Sequence, residues 1–384
     1  MTSRHRRHPA AAIAVALAAA CLCAAMPAWA VSFAATNLVT DDPIAHAAAI
    51  TDPGLKNAWG IAYAPKGPFW VSSNHTGTSP LYKVDPSTQA TTQQGLIVSI
   101  PGDGSVTGQV FNGLGAAAFG GDAFLFVSED GTVSGWRGSL GTTAEVLAAA
   151  SSANVYKGAA FANVAGNGYL YAANFRTRAV DVYKGTVAAP ALPGTFSDPN
   201  LPSGYAPFNV QKLGNTLYVA YALQDANKSD EVAGAGLGLV DSFDVNGNFL
   251  ARVATGGTLD APWGLAIAPT SFGAMAGALL VGNFGDGRIS AFDATTHAFL
   301  GQVLGADGLA LQIDGLWALS TGNDAAAGSR QSLYFTAGPD DELHGIFGVL
   351  TAVPEPQTQA LMLAGLAALG VMLRRRSVIP TCVQ

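Results

Sequence analysis

The chain has 384 residues, of which 12% are charged and 49% hydrophobic, and it holds 46 glycines. That composition excludes a helical bundle with long Glu/Lys faces and favours many short strands joined by tight turns. Six of the 19 basic residues lie in the two tails, and all but one of the 26 acidic residues lie between them, so the acidic body excludes nucleic acid as a partner.

Residues 1–30 have the features of a secretory signal. Arg4, Arg6 and Arg7 form a basic start, an apolar run covers 11–25, and Ala28-Trp29-Ala30 supplies the small residues Ala28 and Ala30 of a cleavage site before Val31. Cys21, Cys23 and Cys382 all fall in the tails. The body therefore has no disulfide framework, Cys-ligated zinc or thiol nucleophile.

The body, taken as 31–352, repeats itself. Trp59-Gly60-Ile61-Ala62 leads to Phe69-Trp70-Val71 and then Leu81-Tyr82-Lys83-Val84-Asp85. The same order recurs as Trp263-Gly264-Leu265-Ala266, Leu279-Leu280-Val281-Gly282-Asn283 and Arg288-Ile289-Ser290-Ala291-Phe292-Asp293. Weaker copies lie between and after these two. Taking Gly60, Gly113, Gly158, Asn209, Gly264 and Gly315 as openers spaces them 45 to 55 residues apart. Three short strands and a fourth apolar run per copy, six times over, predict an all-β fold, a six-bladed β-propeller. The last copy has only three strands, so residues 33–39 are expected to pair with 345–349 and close the ring.

In that geometry the loop into the first strand of a blade and the loop out of its second open on one face. The first set contains Asn57, Asn112, Lys157, Asn209 and Asp314. The second contains Asn74, His75, Glu129, Asp130, Asn174, Asp225, Asn283 and Asp340. Oxygen donors converging there suit calcium, with Asn174, Asn283 and Asp340 as the metal candidates. They also suit sugar hydroxyls, with Trp59 and Trp263 as stacking surfaces. Asn and Asp at such places also cap strand ends and satisfy turn amides. His46, His75, His297 and His344 are scattered along the body, and no G-x-S-x-G, H-E-x-x-H or Walker sequence occurs.

The C-terminal segment 353–376 closes the chain's business end. Val353-Pro354-Glu355-Pro356 precedes an apolar stretch at 360–373, expected to be a hydrophobic helix, and then Arg374-Arg375-Arg376; a tail of 377–384 follows. This order resembles the PEP-CTERM sorting signal. The resemblance implies an exosortase-type membrane protease as partner, transient anchoring in the inner membrane, and delivery to the cell surface or outside the cell. The Pro-x-Gly-Leu-Ala and Arg-Ile-x-x-Phe-Asp elements are similar to NHL-type and gluconolactonase-like six-bladed propellers, and the layout resembles a family of exported bacterial propellers with this tail. Gluconolactonase-like enzymes hold a divalent metal with a Glu in an E-G-P element. Here the stretch is Asn57-Ala58-Trp59-Gly60, without that Glu. The expected role is an extracellular binding or scaffold module whose partner is a glycan or protein; the alternative is a metal-dependent, lactonase-like hydrolase.

Overall fold

The computed structural model describes residues 31–353 and the pair 364–365. The signal segment, and the hydrophobic helix expected near the C-terminus, fall outside the described residues except for that pair. The body is a six-bladed β-propeller. The first, innermost strands of its blades are Ala58–Ala62, Val106–Phe111, Tyr156–Val164, Tyr205–Leu213, Pro262–Ile267 and Leu316–Thr321. Each packs beside the next, and the sixth returns to the first.

Apolar side chains sit on both faces of the central strands because each blade is covered by two neighbours. Phe69–Ser73, Phe124–Ser128, Leu279–Asn283 and Leu333–Ala337 are buried throughout. The outer strand Thr91–Ser99 instead alternates over most of its length between covered and exposed residues, as half-solvated strands do. Blades meet closely where the first strands carry glycine. A Cβ at Gly60 would lie 2.4 Å from the Thr107 carbonyl oxygen, and one at Gly108 would lie 2.6 Å from the Ala159 nitrogen.

Ring closure follows the sequence expectation and extends it. Ser32–Thr40 pairs antiparallel with Ile346–Val353 as the fourth strand of blade six, from Ser32 opposite Val353 to Thr40 opposite Ile346. This pairing removes an exposed edge from the last-made blade. Phe33 is buried there and stacks on Phe272 with ring centroids 4.2 Å apart.

Two expectations need correction. Blade three has three strands, ending at Ala179–Lys184. Four prolines in the following segment, Pro190, Pro193, Pro199 and Pro202, remove ladder donors and oppose a fourth strand. That segment covers the blade with Ala189 and Phe196 instead, while Arg252 holds Asp198 by an ion pair. The second correction is register. Gly108, inside the first strand of blade two, occupies the place of Gly60, whereas Gly113 lies beyond that strand. In blade six the equivalent residue is Ala318, since the stretch Trp317-Ala318-Leu319 matches Trp59-Gly60-Ile61.

Candidate functional site

With the register corrected, the residues just before these positions are Trp59, Thr107, Lys157, Phe208, Trp263 and Trp317, one from each blade. The aromatic members fill the upper part of the axis. Trp317 lies between Trp59, at 3.6 Å between centroids, and Phe284, at 4.0 Å, while Trp263 meets it edge-on. Trp59 and Trp263 are buried, so the expectation that they offer stacking surfaces to a sugar is not met. They stack on protein.

Lys157 replaces an aromatic at its place in this ring and is 1% exposed. Its ammonium sits 5.3 Å from the Trp59 ring centroid and donates to Glu129 at 2.5 Å and Asp230 at 2.9 Å. Burial disfavours its charge, but the carboxylates of Glu129, Glu231 and Asp230 outweigh that and hold its pKa above the ordinary lysine value. Burial pushes the Glu231 carboxyl up, with Lys157 opposing. Glu342 completes the group. Burial, reinforced by repulsion from Glu231, raises its pKa to about 7.

Glu342 reaches the axis from an unusual turn. Asp340, Asp341 and Glu342 have φ of 55°, 53° and 65°, three successive left-handed residues without glycine. Each such residue costs roughly 1–2 kcal/mol, so neighbouring contacts must hold the turn. Asn57, itself at φ 39°, donates its amide to Glu342 and accepts from Trp317 Nε1 at 2.7 Å. His46 bonds Asp340 at 2.8 Å, Asp340 N–H donates to Asp314 at 3.0 Å, and His344 bonds Asp41 at 2.9 Å. Two of the four scattered histidines thus meet across this turn, their rings 6.0 Å apart.

Several ring residues serve the loops that carry them. Asp225 accepts from the amides of Ser229 and Asp230; Asn174 donates to Asp181 and Asn154; Asn283 donates to Asp286 and the Thr258 carbonyl. Asn174, Asn283 and Asp340 share no partner, and among the described residues no group of three His, Cys, Asp or Glu is placed to hold a metal ion. Asn112 is misassigned to the upper face: it follows the far end of its strand, and its amide donates to the carbonyls of Ala118 and Asp122. Asn209 bonds the Trp263 carbonyl within the ring.

Glu129 and Asp130 do come together on the upper face. With Asp103, Asp230, Ser229 and Arg176 they line a groove of about 300 Å³ across the rims of blades two to four. Asn74 donates to Glu129 at 3.1 Å from blade one. The sequence reasoning missed Glu231, Glu342 and Trp317. Trp317 was legible as the third member of a Trp-Gly/Ala-aliphatic series; Glu342 carried no such signal, because its position depends on the left-handed turn.

Residues 352–376 match the PEP-CTERM protein-sorting motif. Two uncharacterized proteins of Acanthamoeba polyphaga mimivirus are each 30% identical to this chain. The first match spans 84% of the chain and 80% of the relative; the second spans 79% and 82%. The chain belongs to their family. Among solved structures, the GH93 α-L-arabinofuranosidase of Fusarium graminearum with arabinobiose is 12% identical and has a TM-score of 0.50, covering 83% of this chain and 98% of that one. This likeness concerns the fold alone. A PQQ-bound aldose sugar dehydrogenase from Streptomyces coelicolor is 17% identical, with a TM-score of 0.49, covering 85% and 100%. The sorting motif implies export, passage through the membrane and processing by an exosortase.

Proposed function

We propose that the chain is a cell-surface binding module, sorted by an exosortase, whose upper face takes a basic segment of a matrix protein. The observation that carries this reading is the continuity of the propeller's closing strand with the sorting motif: Val353 ends one, and residues 352–376 form the other. The propeller is then the cargo that the tail delivers. The groove formed by Asp103, Glu129, Asp130 and Asp230 supports a cationic partner, with Arg176 as the basic group among them. Calcium at the upper face remains a separate expectation, tested by the same preparation.

The test compares cells producing the full chain with cells producing an Asp103→Asn/Asp130→Asn variant. The variant should reach the surface in equal amount but wash from the matrix at lower salt. Equal retention of the two proteins, or turnover of a lactone by the purified chain, would overturn the reading. Calorimetry with calcium shows whether a metal belongs to the face.

A further inference from the structure

On the opposite face the channel is open. A cavity of about 200 Å³ is lined there by Tyr63, Phe111, Phe161, Gln211 and Lys212, and one of about 250 Å³ beside it shares Tyr63, Gln211, Lys212 and Ser320. Tyr63, Phe111 and Phe161 sit at the same place near the lower ends of three successive first strands, each half-buried. Lys212 holds the corresponding place in blade four, so the mouth has an aromatic side and a cationic side.

Three features define what fits. Among the described residues Lys212 is the one charged side chain lining either cavity, in a chain of net charge −7. Its ammonium donates to the Gly214 carbonyl at 2.6 Å, and among the described residues it has no carboxylate partner. An ammonium left without a counter-charge beside a cavity favours an anion there. The Gln211 side chain makes no hydrogen bond within the protein among the described residues, leaving two N–H donors and a carbonyl oxygen for a partner. Half-buried rings offer an apolar platform of the kind that covers the C–H face of a sugar.

We infer that the lower mouth of the channel is a binding site for an acidic sugar, a pyranose bearing a carboxylate. The carboxylate pairs with Lys212, the hydroxyls meet Gln211 and Ser320, and the ring lies against the aromatic side. Each cavity is smaller than a usual ligand site, which limits the occupant to one sugar unit, free or at the end of a chain. This site stands apart from the upper groove and does not depend on it.

Calorimetry on the full chain in mild detergent tests the inference with four probes: glucuronate, glucose, benzoate and a glucuronate-terminated oligosaccharide. Glucuronate should bind at least tenfold more tightly than glucose or benzoate, and Lys212→Gln should lower its affinity at least tenfold. Lys212→Arg should retain most of it. Tighter binding of the oligosaccharide assigns the site to a polymer end; equal binding assigns it to the free sugar. Absence of binding by glucuronate and the oligosaccharide, benzoate matching glucuronate, or Lys212→Gln binding like the unaltered chain would each overturn the assignment. Unchanged thermal melting of Lys212→Gln distinguishes a lost contact from a lost fold.

Discussion

Ser32 and Val353 face each other as the last pair of the ladder that closes blade six. The first residue after the expected signal cleavage, Val31, and the first residue of the Pro-Glu-Pro triplet are therefore sequence neighbours of one cross-strand pair. The ring is completed by pairing its two chain ends, so the last edge is covered only when both are in place.

Closure can be weakened without touching either terminus. Phe33 is 2% exposed and packs with Phe272, Leu280 and Leu350. Phe33→Ala should cost about 3–5 kcal/mol and lower the melting temperature by roughly 4–7 °C. Circular dichroism melts of the exported protein measure this. A loss below about 2 °C would mean that the strand contributes little to holding the ring shut.

Blade number and the closing strand were legible because they rest on hydrophobic patterning and on a missing fourth run, both of which survive errors of a few residues. The ring around the axis was less legible, because it depends on register to the residue. Placing the blade-two opener at Gly113 put Asn112 on the wrong face, and opening blade six at Gly315 concealed the kinship of Trp317 with Trp59 and Trp263. Blade three lost its fourth strand to prolines that a repeat count does not weigh. The acid group around Lys157 comes from loops of different length, in which no periodicity operates.

Lys157 is the cation that lets Glu129, Asp230, Glu231 and Glu342 share one region of the upper axis. Lys157→Met keeps much of the side chain's volume but leaves these carboxyls facing one another. Removing one partner from a buried charged set typically costs about 3–5 kcal/mol. The loss should be larger at pH 8 than at pH 5, since protonated carboxyls no longer repel. Chemical denaturation at both pH values checks this, and equal losses would show that the ammonium serves packing alone.

Glu342 gives a pH dependence of defined sign. Its folded pKa of about 7 lies above the ordinary value of 4.5, so between those values the folded chain binds more protons than the unfolded one. Stability contributed by this group is full below pH 4.5 and declines as pH rises to about 7. Glu342→Gln keeps an acceptor for Asn57 and stays neutral throughout. It should melt like the unaltered protein near pH 5 and about 2–4 °C higher near pH 8. A variant less stable than the unaltered protein at pH 8 would show that the carboxylate is needed there as an anion.

The sorting tail is tested at Glu355. We propose that Pro354-Glu355-Pro356 is the element an exosortase recognises, with the apolar stretch and Arg374, Arg375 and Arg376 holding it at the right depth. Glu355→Ala removes the triplet's charge without shortening the span or altering the basic cluster. The variant should insert but accumulate uncut in the inner membrane. A chain stopped after Val353 should instead leave a folded propeller in the periplasm. Stopping at Thr351 removes Ala352 and Val353 from their pairing with Phe33 and Ser32 and should yield a less stable product. Mass spectrometry of membrane and surface fractions separates these outcomes. If Glu355→Ala arrives at the surface with the same trimmed C-terminus as the unaltered chain, the triplet is not what the protease reads, and the tail acts as an ordinary anchor.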